Sequence, residues 1–334
     1  MRQVTVTALA LLLALFLLPL LLVPQGESQL PVESGNLPID RTVVTPEASL
    51  DSGRQVKVQR ADGQVETMAL DDYLWGVVAA EMPAAFEPEA LKAQAVAART
   101  YTDAKMERTT SKHPEADVCT DVTCCQAYRT KEEAAASWGD NAQAYTDKIA
   151  SAVAETDGVA VLYGGKPIQA VFFSSADGRT VDAVEVWGNA VPYLTGVDSP
   201  EGEEVPNYHS TVTVPLEEFK TTLLAKYPEA NLSGDPAGWF SNTVSNSAGG
   251  VSSVDVGGVT VSGQDLRTLF SLRSTSFTVT AGADGVTFSV TGYGHGVGMS
   301  QYGANAMAKE GKGYEEILKW YYTGVEVEVY RPDT

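Results

Sequence analysis

Residues 87–108, EPEALKAQAVAARTYTDAKMER, constrain the fold more than any other stretch of this chain. Pro88 suits a first helical position, Glu87 and Glu89 suit the positive end of the helix dipole, and alanines fill the body. A helix so rich in alanine packs closely against its neighbours. Lys92 and Arg99 stand seven residues apart and so share a face. That face is a candidate surface for an anionic group, with an ordinary solvated stripe as the equal alternative. Just before it, DDYLWGVVAAEM has apolar residues at helical spacing and is stopped by Pro83. Glu81 falls at the carbonyl end of that helix, among Val77, Val78, Ala79 and Met82. Both the helix end and burial disfavour its charged form, which is what a general acid requires. A solvent-facing glutamate is the plain alternative.

Around this pair, RQVKVQRADGQVETMAL alternates as a hairpin turning at Ala61-Asp62-Gly63, and VAVLYGGKPIQAVFFSS reads as a second hairpin across Gly164-Gly165. NAQAYTDKIASAVAETDG and PLEEFKTTLLAKY read as helices, and a last helix is expected at about 302–321. Residues from about 205 to 290 are rich in Val, Ser and Thr strands turning at glycines. The order is not a regular βαβ series, so the expected class is α+β, a two-lobed helix and strand domain with a cleft.

The N-terminus sets the compartment. Residues 4–23, VTVTALALLLALFLLPLLLV, are apolar and follow Arg2; about 20 such residues span a bilayer core as a helix. LLVPQGESQ offers no A-x-A cleavage site, which favours a retained anchor over 1–24 rather than a signal peptide. Residues 25–48 are polar and rich in Pro and Ser, a tether leading to one large domain over 49–330. A formal charge of −20 argues against nucleic-acid binding, which depends on neutralising phosphates.

Two further stretches carry chemistry. GYGHGVGMSQYGANAMAKEG, residues 292–311, packs glycines around His295, Ser300 and Gln301 and leads into a helix N-terminus. It is not a serine-hydrolase elbow, because Tyr302 stands where G-x-S-x-G needs glycine. HPEADVCTDVTCCQAY, residues 113–128, holds all three cysteines. Adjacent Cys124 and Cys125 are poorly placed to bridge each other. His113, Cys119, Cys124 and Cys125 make a Cys3His set suited to structural zinc, with a Cys119 disulfide plus a spare thiol as the rival. Four protein ligands leave no open position for a catalytic water.

DDYLWGVVAAEMPAAFEPEALKAQAVAARTY together with GYGHGVGMSQYGANAMAKEGKGYEEILKWYYTGVEV resembles the stage II sporulation protein D family, over roughly residues 50–330. VWGNAVPYLTGVDSPE and VSGQDLRTLFSLRSTSF are similar to family segments between them. The resemblance implies a membrane-anchored lytic transglycosylase that cleaves the MurNAc–GlcNAc bond of peptide-stripped peptidoglycan to 1,6-anhydro products during forespore engulfment. It implies a domain facing the wall from the mother cell's engulfing membrane. The implied partners are a cell-wall amidase and a membrane scaffold, stage II sporulation proteins P and M. Glu81 of the E-M-P motif is then the catalytic acid, and Lys92, Arg99, Ser174, His295, Ser300 and Gln301 bind substrate. Arg99, with Lys92, is expected to recognise the free lactyl carboxylate. The resemblance also implies a zinc site of the clostridial kind, with Cys124 standing in for a second histidine. One departure lies at AVFFSSADGRT, where Phe173 replaces a family histidine and Ala176 and Asp177 replace a small residue and a glycine. A related branch of the family enhances a cell-wall amidase without cleaving glycan; that role and a glycan-binding scaffold are the alternatives.

Overall fold

The computed structural model describes residues 48–332, except 109 and 111. The expected anchor and all but the last residue of the expected tether lie outside the described residues. No described helix is long and apolar enough to cross a membrane.

The opening hairpin is β1 (Gln55–Gln59) and β2 (Val65–Ala69), which runs straight into α1 (Leu70–Glu81). Asp71 and Asp72 sit in the first turn of α1, where the dipole favours them, and the helix stops ahead of Pro83. α2 (Pro88–Met106) follows, then β3 (Val118–Cys119), which joins β1 in parallel. α3 (Lys131–Trp138) and α4 (Ala142–Ala154) lead to β4 (Val159–Tyr163), β5 (Lys166–Pro167), β6 (Phe172–Phe173) and the short α5 (Ala183–Trp187). Next come β7 (His209–Val214), α6 (Leu216–Lys226), β8 (Phe240–Ser245), β9 (Val251–Val256) and β10 (Val259–Ser262). They are followed by α7 (Gly263–Leu269), β11 (Phe277–Gly282) and β12 (Gly285–Thr291). The chain closes with β13 (Met299–Ser300), α8 (Gln301–Lys309), α9 (Tyr314–Tyr321) and β14 (Glu326–Val329).

The sheets are small: β2-β1-β3, β14-β4-β5, β13-β6, β11-β12-β7 and β10-β9-β8. The class is α+β, as expected. Two apolar cores divide the described residues. One gathers α1, α2, α4, α8, α9 and β4; the other lies within residues 214–290, around Phe219, Trp239, Phe270 and Phe288. Phe219 and Phe270 stack with centroids 4.8 Å apart, the offset geometry aromatic pairs prefer.

Two expectations change. α3 is a helix the apolar pattern does not announce, yet its start is a capping box: Thr130 Oγ1 accepts from the Glu133 N–H, and the Glu133 carboxylate accepts from the Thr130 N–H. The single helix expected at 302–321 is two, α8 and α9. Gly311 takes a φ of +89° there, and α9 restarts with its first amides held by Glu316 and by Glu89 of α2.

α2 is the centre of the first core. From Ala90 to Asp103 every residue except Lys92 is buried, and α1, α4, α8, α9 and β4 pack around it. Alanine makes this possible, because a helix enclosed on all sides needs small side chains to let its neighbours' backbones approach. Arg99 is enclosed with the alanines. It binds Asp51 Oδ2 at 2.6 and 2.8 Å and donates to the Val159 and Val153 carbonyls at 3.1 and 3.4 Å. One turn on, Asp103 pairs with Arg54. The segment just before β1 therefore closes over α2 through two ion pairs. Removing one partner of a buried pair leaves the other charge uncompensated, so Arg99→Ala should lower stability by about 3–5 kcal/mol. Denaturant unfolding checks this, and a loss below about 1 kcal/mol would return Arg99 to the solvent-facing role.

Candidate active site and metal centre

Glu81 is the last residue of α1 and is half-buried. Burial raises its pKa above the ordinary 4.5, while the Ala127 N–H and the Gln301 side chain pull the other way. The Ala127 amide donates to Glu81 Oε1 at 2.6 Å. No cation and no second carboxylate contributes to the shift. The side chain therefore carries its proton to higher pH than a free carboxyl group and sits beside hydrogen-bonding groups, as a general acid requires.

Local sequence explains the placement. Gly76 of α1 lets the segment after Cys125 lie directly on the helix: a Cβ there would meet the Tyr128 ring at 2.4 Å and the Arg129 carbonyl at 2.7 Å. The Arg129 N–H donates to the Gly76 carbonyl at 3.1 Å, and this register brings Ala127 to the end of α1. From the other side, α8 begins at Gln301, whose amide donates at 3.3 Å to Gln94 Oε1 of α2. Gln94 is fully buried and its Nε2 has no partner among the described residues. Sequence reasoning missed Gln94, although a lone amide within an alanine-rich helix was a visible signal. The fold brings the expected residue Gln301 to Glu81.

The side chains of four other expected substrate-binding residues, Arg99, Lys92, Ser300 and His295, are held by partners within the fold. Arg99 is a core cation sealed by Asp51. Lys92 does not join it at the surface; its Nζ lies 2.8 Å from Glu89 and 2.7 Å from Glu155. Ser300 is fully buried, caps α8 by accepting from the Gly303 N–H at 3.2 Å, and donates to the buried Glu201. His295 donates from Nε2 to the Phe172 carbonyl at 3.1 Å and accepts at Nδ1 from the Val297 N–H at 3.2 Å. Burial, aided by the nearby Arg267 charge, pushes its pKa down to about 4, so it is neutral. Its ring is 5.6 Å from both Phe173 and Trp187. Phe173 is thus an apolar wall for His295. Ser174 ties its loop to α8 by accepting the Tyr302 N–H at 3.0 Å, and its hydroxyl has no partner among the described residues.

The metal-ligand set assembles as the spacing implies. Donor atoms of His113, Cys119, Cys124 and Cys125 all lie within 4.8 Å of one another, and the three cysteines are free thiols. A tetrahedral zinc with bonds of about 2.3 Å needs sulfurs about 3.8 Å apart, so little adjustment closes the site. The imidazole is already oriented: Nδ1 bonds the Ala116 carbonyl at 2.9 Å, leaving Nε2 at 3.3 Å from Cys125 Sγ. Burial and the neighbouring thiols push Cys125 up to about 12, and a divalent cation supplies the charge that would hold the thiolates together. Zinc bound here would fix the loop from His113 to Cys125, and with it the Ala127 donor on Glu81.

Two outcomes follow. Metal analysis of the purified chain should give one zinc per molecule, with Cys125→Ser losing it and melting at lower temperature; metal-free protein with a Cys119 disulfide would refute the site. For Glu81 the folded pKa exceeds the unfolded one, so its contribution is fully present below about pH 4.5 and is lost as pH rises through the raised value. Glu81→Gln removes that loss. Its stability relative to the parent should therefore improve as pH rises above about 4.5 and through the raised pKa, and an unchanged difference in denaturant midpoints would contradict the raised pKa.

A family model described as stage II sporulation protein matches residues 59–163, which hold α1, α2, the metal ligands and Glu81. The chain is 36% identical to stage II sporulation protein D of Bacillus subtilis, over 98% of this chain and 96% of that one. It is 39% identical to the Bacillus amyloliquefaciens protein of the same name, over 79% and 75% of the two chains. It is also 31% identical to the amidase enhancer of Bacillus subtilis, over 77% of this chain and 40% of that longer one. Identity of this level across nearly all of both chains places the protein in the stage II sporulation protein D family.

Proposed function

We propose that the chain is a lytic transglycosylase that cuts peptidoglycan glycan strands with Glu81 as its single acid and base. One observation carries this: Glu81 is a half-buried carboxyl group with a raised pKa, hydrogen-bonded by neutral donors, and with neither cation nor carboxylate contributing to its shift. A hydrolytic glycosidase uses two carboxylates. Here the substrate supplies the second function. Glu81 gives its proton to the glycosidic oxygen as the bond to the anomeric carbon of N-acetylmuramic acid breaks. The resulting carboxylate takes the proton of that sugar's 6-hydroxyl as the oxygen closes on the anomeric carbon. The acid is regenerated, no water is consumed, and the product ends in a 1,6-anhydro ring; proximity of the hydroxyl replaces a second catalytic group.

Zinc at the Cys3His site would be structural, with no part in the bond-breaking. Membership of a sporulation family and the apolar run at 4–23 support an anchored protein whose domain faces the wall. The family also supports action beside an amidase and a membrane scaffold, the stage II sporulation proteins P and M, on strands already stripped of peptides. The similarity to an amidase enhancer favours one second reading, stimulation of an amidase without glycan cleavage.

Mass analysis of peptide-stripped glycan treated with the protein in 18O water separates the two. The transglycosylase yields anhydro ends without 18O, and Glu81→Gln should lower that rate by about 10²–10⁴-fold. Intact glycan together with faster amidase turnover would establish the enhancer instead.

A further inference from the structure

Arginines follow a rule in this protein. Among the described residues, four that are buried or half-buried each hold a carboxylate: Arg54 with Asp103, Arg60 with Glu66, Arg99 with Asp51 and Arg179 with Asp198. Arg108, Arg129 and Arg331 are exposed and need none. Arg267 and Arg273 are half-buried, yet neither meets a carboxylate among the described residues. In a chain of net charge −20, with acidic groups in such excess, that is a specific departure. Two desolvated guanidinium groups without counter-charge are costly unless something else supplies it.

Their geometry is that of a prepared site. Arg267 Nε donates to the Arg273 carbonyl at 3.3 Å, fixing one side chain against the other's backbone. The Arg273 guanidinium lies 4.0 Å from the centroid of the Tyr293 ring, and Arg273 Nε is buried without a partner. A guanidinium stacked on a ring keeps its edge donors available in the plane, the fork that suits a carboxylate. Tyr293 is 45% exposed, so the platform reaches solvent. Burial draws the Arg267 pKa down, and no carboxylate among the described residues opposes this. His295 beside it is neutral, so it competes for no anion. Tyr302 follows Gln301, feels the Arg273 charge, and packs edge-on at 4.9 Å against Phe86, in the turn after Glu81.

We propose that Arg267 and Arg273, presented on Tyr293, form a subsite for a carboxylate-bearing sugar of the glycan strand. The proposal rests on the glycan-cleaving function above and assigns to these arginines the anion recognition that the buried Arg99 cannot perform. A free lactyl carboxylate on a peptide-stripped strand is the anion of the right charge and planarity. The phosphates of other wall polymers share the charge but not the plane.

The test measures binding rather than turnover. The full-length chain carrying Glu81→Gln, metal-loaded and in mild detergent, is titrated with peptide-stripped glycan oligosaccharides and with the same oligosaccharides after reduction of their carboxylates to alcohols. Reduction should weaken binding about tenfold or more, since a charge-assisted pair is lost. Arg273→Gln and Arg267→Gln should bind both ligands equally weakly, and Arg273→Lys should regain part of the preference. Tyr293→Leu, at an exposed position, should narrow the preference about threefold without unfolding the domain, which covers the case of arginine variants that fail to fold. A folded Arg273→Gln protein that still prefers the carboxylate form overturns the proposal, as does an unchanged preference in Tyr293→Leu. Tighter binding of glycerol-phosphate oligomers than of the glycan also overturns it. Carboxylate-dependent binding in a protein whose parent makes no anhydro products would sustain the subsite while removing the transglycosylase.

Discussion

The ion pair between Arg99 and Asp51 is the contact on which the rest of the first core depends. It lies inside an alanine-rich helix enclosed on all sides, where no water can compensate either charge. Because α2 is held by its own interior charges, α1, α4, α8 and α9 can be arranged around it at close range. Glu81 at the end of α1 and Gln301 at the start of α8 meet because both helices dock on α2. The meeting of Glu81 and Gln301 is a by-product of where one helix is allowed to sit.

The carboxyl of Glu81 is also governed by a loop that carries the candidate metal ligands. Ala127, two residues beyond Cys125, supplies the amide that bonds it, and Gly76 provides the clearance that lets that strand of chain lie down. The donor set and the acid are therefore successive parts of one folded segment. The Ala127 amide orients the carboxyl and favours its charged form, yet burial outweighs it and the pKa stays raised.

Much of this was legible in the sequence, and the failures share a cause. The opening hairpin, α1, α2 and α4 follow from turn residues, periodicity and terminal charges. Glu81 was legible because helix ends and apolar neighbours act locally. The Cys3His set was legible because its ligands fall within thirteen residues. Arg99 was misplaced because spacing of i and i+7 tells which face a side chain shares, not what covers that face. Its partner Asp51 lies 48 residues away in a stretch without periodicity. Ser300 and His295 turned inward for the same reason: a glycine-dense loop can bring backbone to a ligand or to its own scaffold, and the sequence is the same for both. The capping box of α3 was present in Thr130 and Glu133 and needed only to be weighed above the missing apolar stripe.

The closure of residues 49–54 over α2 has a mechanical meaning. Ser49, Leu50 and Asp51 all bond the carboxylate of Asp157, and Asp51 and Arg54 reach the interior charges of α2. Any tension entering the domain from the N-terminal side is met first by this group of side-chain bonds, loaded together, before it can peel the β1 strand. The described domain is thus clamped at its N-terminal edge, and a pull there is transmitted to the helix around which Glu81 is organised.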